Sequence, residues 1–170
     1  MKELRGRFLG IRQQHSYNLY YHFDKIITGS NLQKFIEIGT GNGAMSLFLG
    51  LYAFQRNTSL WTFDKQERGD LHLAKPFFDL LRIQMILGDV FTQRDHIAAF
   101  VKDSPTFIFC DNGDKIKEVA YFKPILSSGS IIAVHDYPKE IGKSHVDSTG
   151  LIPVKEKDWP EMKTMVWKVQ

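Results

Sequence analysis

The sequence predicts a doubly wound α/β fold, a mostly parallel seven-stranded sheet with helices on both faces. Three observations predict it. Short apolar runs alternate with helix-length segments along the 170 residues. A Gly-rich turn, Gly39-Thr40-Gly41-Asn42-Gly43, separates the first core run from an apolar helical stretch. An acid also stands at or near the end of each of five such runs: Glu37, Asp64, Asp89, Asp111 and Asp136. In sheets of this kind ligands sit at the carboxyl ends of the strands, beside the point where strand order reverses.

Residues 1–33 read as a helical, basic segment. A helix over 17–27 is stopped by Gly29-Ser30-Asn31. Lys2, Arg5, Arg7, Arg12, Lys25 and Lys34 stand against Glu3 and Asp24, so residues 1–34 carry 6 − 2 = +4. The whole chain carries +3, which leaves the rest about neutral. Such a segment either meets an acidic partner such as RNA or forms a solvated, partly frayed terminus.

Residues 34–170 carry the core. The first strand is 34–38, followed by a helix over 44–54. After the turn Asn57-Thr58-Ser59, a second strand covers 60–63 and ends at Asp64. A helix over 76–82 would use Pro76 in its first turn. The third strand, 84–87, runs into Gly88-Asp89, and a helix follows over 93–101. The fourth strand, 106–110, is apolar throughout and so buried on both faces. Residues 114–126 read as a helix stopped by Ser127-Ser128-Gly129. The fifth strand, 131–134, ends at His135-Asp136. The runs 151–154 and 164–169 supply the last two strands, the first short or at an edge because of Pro153. Residues 141–149, with Gly142, Lys143, Ser144, His145 and Ser148, read as a flap or an ordinary surface loop.

Composition narrows the class. Hydrophobic content of 43% and charged content of 24% suit a soluble globular domain. The length accommodates one domain and leaves little room for a separate substrate domain. Cys110 is the only cysteine, which excludes an intramolecular disulfide and a cysteine zinc cluster. No apolar signal segment is visible, and the run 44–54 is too short to span a bilayer. The expected setting is the cytoplasm, with no membrane partner.

The Gly-rich turn admits two cofactors. Gly39, Gly41 and Ala44 fit the dinucleotide pattern G-x-G-x-x-A, with Asp64 at a suitable distance to hold a ribose. Read as Glu37-x-Gly39-x-Gly41-x-Gly43, the same residues resemble the first motif of the class I S-adenosylmethionine (SAM) methyltransferases. The resemblance extends over residues 34–137 and implies a Rossmann-like core. It implies that Glu37, Gly39, Thr40, Gly41, Asn42 and Gly43 form the cofactor turn. Asp64, with Lys65 beside it, matches the acid that takes the ribose hydroxyls. Gly88-Asp89-Val90 matches the stretch flanking the adenine. Asp111 matches the position facing the methionine part and the acceptor. Dinucleotide enzymes give no reason for Glu37, Gly88-Asp89 and Asp111-Asn112-Gly113 together.

Within that superfamily, Cys110 to Lys115, Lys123-Pro124, Gly129 to Ile132 and His135-Asp136-Tyr137 are similar to one branch. It contains small proteins related to macrocin O-methyltransferases and to cephalosporin hydroxylase-type proteins. The resemblance implies SAM as cofactor and O-methylation of a small molecule or sugar. Asp111 and His135 become the catalytic candidates. His135 could act as a general base near neutral pH. Alternatively Asp111, His135 and Asp136 could hold Mg²⁺ or another divalent cation, since mostly oxygen ligands favour such ions over zinc. The chain lacks most of the segments that build an acceptor pocket in that branch, so a second subunit could complete it.

Two other classes stay open. An RNA or cap ribose methyltransferase would use Lys25, Asp111 and Lys139 or Lys143. A protein that binds SAM without methyl transfer could be a sensor, a scaffold or a SAM-cleaving enzyme. Tyr17, Tyr20, Tyr21 and Phe23 could face a sulfonium or pack the helix.

Overall fold

Near-continuous apolar runs along the central strands build a sheet covered on both faces. The computed structural model describes residues 6–147, 149–154 and 161–170. Lys2, Glu3 and Arg5 of the basic segment, Ser148 of the 141–149 loop and the side chain of Lys143 lie outside these.

A small hairpin, β1 (Arg7–Phe8) and β2 (Ile11–Arg12), leads into α1 (Tyr17–Thr28). Then follow β3 (Lys34–Ile38), α2 (Ala44–Gln55), β4 (Leu60–Asp64), α3 (Leu71–Phe78), β5 (Ile83–Leu87), α4 (Arg94–Val101), β6 (Thr106–Cys110), α5 (Lys115–Phe122) and β7 (Ile131–His135). The chain closes with α6 (Lys143–Asp147), β8 (Ile152–Pro153) and β9 (Thr164–Lys168). The main sheet has seven strands in the order β5-β4-β3-β6-β7-β9-β8. β3 to β7 run parallel, and β9 is antiparallel to both β7 and β8. Strand order reverses between β3 and β6, where the bond from Asp111 N–H to the Ile38 carbonyl (2.7 Å) ties the two strand ends.

Odd-numbered residues of β3, β6 and β7, such as Phe35, Phe107, Phe109, Ile131 and Ala133, pack against α1, α2 and α3. Even-numbered ones, Ile36, Ile38, Ile108, Cys110, Ile132 and Val134, pack against α4, α5 and α6. The period of two along a strand produces this division. α2 is apolar almost all round, and most of its residues are buried.

Several expectations need correction. Residues 6–28 are not a frayed arm. Ile11, Leu19, Phe23 and Ile27 are buried, and their apolar faces dock the segment on the sheet. The third helix spans Leu71–Phe78, not 76–82, with Pro76 inside it. Leu71, Ala74 and Phe78 lie on its buried side, and that docking outweighs the preference of proline for a first turn. Residues 143–147 form a short helix rather than a plain loop, seated by buried Val146. Tyr20 and Phe23 pack in the core, whereas Tyr17 and Tyr21 are exposed. Among the described residues no helix is long and apolar enough to cross a membrane.

Candidate functional site

The carboxyl ends of β3, β4, β6 and β7 meet the segment before α1. The turn after β3 is held by its own amides. Gly39 and Thr40 donate to the Phe63 carbonyl (2.7 and 3.2 Å), and Gly43 donates to Thr40 (2.9 Å). Gly41 N–H donates to Asp64 Oδ2 (3.0 Å). Gly39 has φ 107°, and a Cβ there would lie 2.6 Å from the Asp111 carbonyl oxygen. Only glycine permits that approach of two strand ends. A Cβ on Gly41 would meet the Gln14 side chain at 2.1 Å, so the segment before α1 lies directly on the turn.

The expected cofactor residues fall into distinct environments. Glu37 is fully buried, and its Oε2 accepts from Ser46 and from Thr62 Oγ1 (2.6 Å). Burial, with Asp111 and Asp64 nearby, pushes its pKa up to about 8 despite the two hydroxyl donors. The side chain is therefore mostly protonated at neutral pH, and its Oε1 has no partner among the described residues. Thr40 Oγ1 bonds Thr62 Oγ1 (2.7 Å). Asn42 Nδ2 donates to the Arg12 carbonyl (3.3 Å), and its Oδ1 accepts from Asp70 N–H (3.3 Å). Asp64 is buried at the end of β4 and faces the exposed Arg68 (3.6 Å). Lys65 is exposed. After β5, Asp89 caps a 3-10 turn over Val90–Gln93, accepting from Phe91 N–H (3.0 Å), while Val90 is buried and Gly88 stands in open space.

Asp111 and His135 come together, and His15 joins them. The His15 Nε2–H donates to Asp111 Oδ2 (2.9 Å). The two imidazoles meet edge to face at 4.7 Å, and His15 packs on Phe109 at 5.3 Å. One donor atom from each of His15, Asp111 and His135 lies within 4.8 Å of the others. Asp136 is not in this cluster. His135 continues the odd-numbered face of β7, and Asp136 follows with φ 60°, which breaks the strand. Burial would raise the Asp111 carboxyl, yet His15, His135 and Lys115 together hold it below its usual range. His135 is lowered, chiefly by burial and then by His15.

Thr164 sets the His135 tautomer. Its hydroxyl donates to the Met162 carbonyl (3.0 Å), so it can only accept from His135 Nδ1–H (3.0 Å). The Nε2 lone pair of His135 is left for the cluster. Lys115, almost wholly buried, sits 3.8 Å from Asp111 Oδ1 and 3.2 Å from Glu140 Oε2. Sequence reasoning missed His15, Thr164 and Lys115. His15 has no motif around it, and only the docking of the hairpin and α1 carries it to the strand ends. Lys25, a candidate for an RNA-type site, instead lies over the Tyr21 ring at 4.4 Å.

No protein-family model matches the sequence, and no curated protein matches it. Solved structures do. CmcI in a form with SAH aligns over 99% of this chain and 84% of its own, at 10% identity and TM-score 0.69. A Staphylococcus aureus protein provisionally described as a caffeoyl-CoA O-methyltransferase aligns over 90% of this chain and 84% of its own, at 14% identity and TM-score 0.61. The chain has the class I SAM-dependent methyltransferase fold. A Mg-SAM form of CmcI aligns at TM-score 0.64, with 12% identity over 98% of this chain and 76% of its own.

Proposed function

We propose that this chain is a SAM-dependent methyltransferase that acts on an oxygen of a small molecule or sugar. The observation that carries this reading is the joining of a Gly-rich turn to a His15–Asp111–His135 cluster across the switch point of a methyltransferase fold. The chain's own buried groups suit the cofactor. Glu37 Oε1, Tyr20 Oη, Ser16 Oγ and both side-chain amide atoms of Gln13 are buried without partners among the described residues. Such donors and acceptors match the ammonium and carboxylate of a methionine moiety, whereas unpaired burial is costly.

When bound, SAM supplies a methyl group already activated by its sulfonium. The residues then orient and deprotonate. Asp64, held by Gly41 N–H, keeps lone pairs for two ribose hydroxyls. The close approach of Gly39 to Asp111 brings the turn and the acceptor end together, so positioning does most of the work. The Nε2 lone pair of His135, fixed by Thr164, can take the proton of an acceptor hydroxyl. Mg²⁺ fits this cluster poorly, because it takes oxygen ligands and two of the three donors are imidazoles.

Calorimetric titration with SAM, with NAD as control, tests the cofactor, and labelled-methyl transfer to phenols, sugars and RNA tests the acceptor. Micromolar SAM binding and label on a small hydroxyl compound are expected. NAD binding in place of SAM would return the turn to the dinucleotide class. Label on RNA alone would move the acceptor to nucleic acid, and SAM binding without any transfer would favour a sensor or scaffold.

A further inference from the structure

We propose that His15, Asp111 and His135 bind one borderline divalent transition ion, of the Zn²⁺ or Co²⁺ type, in preference to Mg²⁺. Two imidazoles and one carboxylate within 4.8 Å form a mixed nitrogen–oxygen set. Nitrogen donors select zinc, cobalt, nickel or iron, while magnesium takes oxygen. Three protein ligands also leave an open coordination position, the usual arrangement of catalytic rather than structural zinc.

Ion binding displaces the proton that His15 Nε2 gives to Asp111, and the surroundings of the two imidazoles support an ion. His135 donates its Nδ1–H to Thr164, whose own proton goes to the Met162 carbonyl. That relay is the outer-shell bond that orients a metal-binding imidazole and fixes its tautomer. The Nε2 lone pair is a ligand when an ion is bound, so the base role of His135 belongs to the metal-free chain. His15 is buried against Phe109, which restricts its ring. Bond lengths near 2.0–2.1 Å place tetrahedral donors about 3.3 Å apart, so the side chains draw in by roughly an ångström on binding.

Lys115 argues against a cation here and must be weighed. Its ammonium lies 3.8 Å from Asp111. Glu140, at 3.2 Å from the same nitrogen, and buried Glu118 on the next turn of α5 offset that charge. Glu140 balances Lys115, so the neighbourhood is close to neutral toward a divalent ion.

One consequence is specific to this chain. His15 belongs to the segment that also lays Gln14 on Gly41. An ion at His15 therefore fastens that segment over the Gly-rich turn. The site needs no cofactor and no methyl acceptor, so its test is separate from that of the methyltransferase reading.

The experiment is titration of the chelator-stripped full chain with Co²⁺, read by visible ligand-field absorption, followed by displacement with Zn²⁺ or Mg²⁺. One Co²⁺ per chain is expected, with the intense bands of four- or five-coordination, displaced by one equivalent of Zn²⁺ and unmoved by excess Mg²⁺. His15→Ala and His135→Ala each lower the affinity by about a hundredfold or more, and Thr164→Val, which keeps every ligand, by about 10–100-fold. His96→Ala, at an exposed histidine, leaves it unchanged. Circular dichroism checks folding, and His15→Gln replaces His15→Ala if the latter fails to fold. Displacement of Co²⁺ by Mg²⁺, a weak six-coordinate spectrum, or unchanged affinity in a folded His15 variant would overturn the proposal.

Discussion

Glu37→Gln should make the chain more stable at pH 8 than the parent while leaving the two similar at pH 5. Glu37 has no exposed surface, and its folded pKa is raised from 4.5 to about 8, chiefly by burial. The sign follows from proton counting. Between those two values the folded state keeps a proton on Glu37 that the unfolded state has released. Stability then falls as pH rises, by about 1.4 kcal/mol per unit. Below pH 4.5 both states are protonated and there is no penalty. Over the whole window the penalty reaches about 5 kcal/mol, comparable with the net stability of a small domain. Glutamine carries no such penalty and can keep the hydrogen bonds from Ser46 and Thr62. Urea unfolding of both proteins at unit steps from pH 5 to 9 gives the difference, in which every other titrating group cancels. A rise to pH 8 followed by a plateau is expected. A flat difference would refute the shift. A parent that gains on the variant with pH would mean that the Ser46 and Thr62 hydroxyls hold an ionised Glu37.

Asp64→Ala leaves the Gly41 N–H without its partner and should cost about 1–3 kcal/mol of stability. The same change should lower SAM affinity about 10–100-fold by calorimetry, and full affinity in a folded variant would remove Asp64 from the ribose site. Gly39→Ala drives a Cβ to 2.6 Å from the Asp111 carbonyl at φ 107° and should cost roughly 3 kcal/mol, read as a shift in the urea midpoint. Lys115→Met removes the cation beside Glu118 and Glu140, so a loss of about 3–5 kcal/mol is expected, larger at pH 9 than at pH 6 because Glu118, which burial pushes up to about 7, ionises between them. An equal loss at both pH values would show that Lys115 only fills space.

The central sheet was legible because its strands obey a simple rule. Thr106–Cys110 is apolar from Phe107 on and lies buried at every position, on both faces. Gly39-Thr40-Gly41 turns where β3 ends, and Pro153 sits on the edge strand β8. The hairpin was not legible. Its turn is Leu9-Gly10, with φ of 49° and 82°, and leucine gives no signal for a left-handed position. α3 was displaced because Pro76 was read as a helix start, whereas Leu71 and Ala74 had already begun the buried stripe.

The site was half legible, and the parity of β7 explains which half. Asp111 and His135 each follow the odd-numbered alternation of their strands, so both reach the face that carries α1. Asp136 is adjacent in sequence and carries the charge that an oxygen-liganded ion would want. Pleating alone sends the residue after His135 away from that face, and its left-handed backbone ends the strand there. The third position passes instead to His15, which lies 96 residues before Asp111 in the sequence. No local pattern could pair them, because the pairing depends on docking the hairpin and α1 against Phe109. A carboxylate at that position would have suited magnesium, and an imidazole alters the ion the cluster can select. The segment outside the central sheet therefore decides the chemistry at the strand ends, so variants of residues 13–15 should change ion preference before they change the fold.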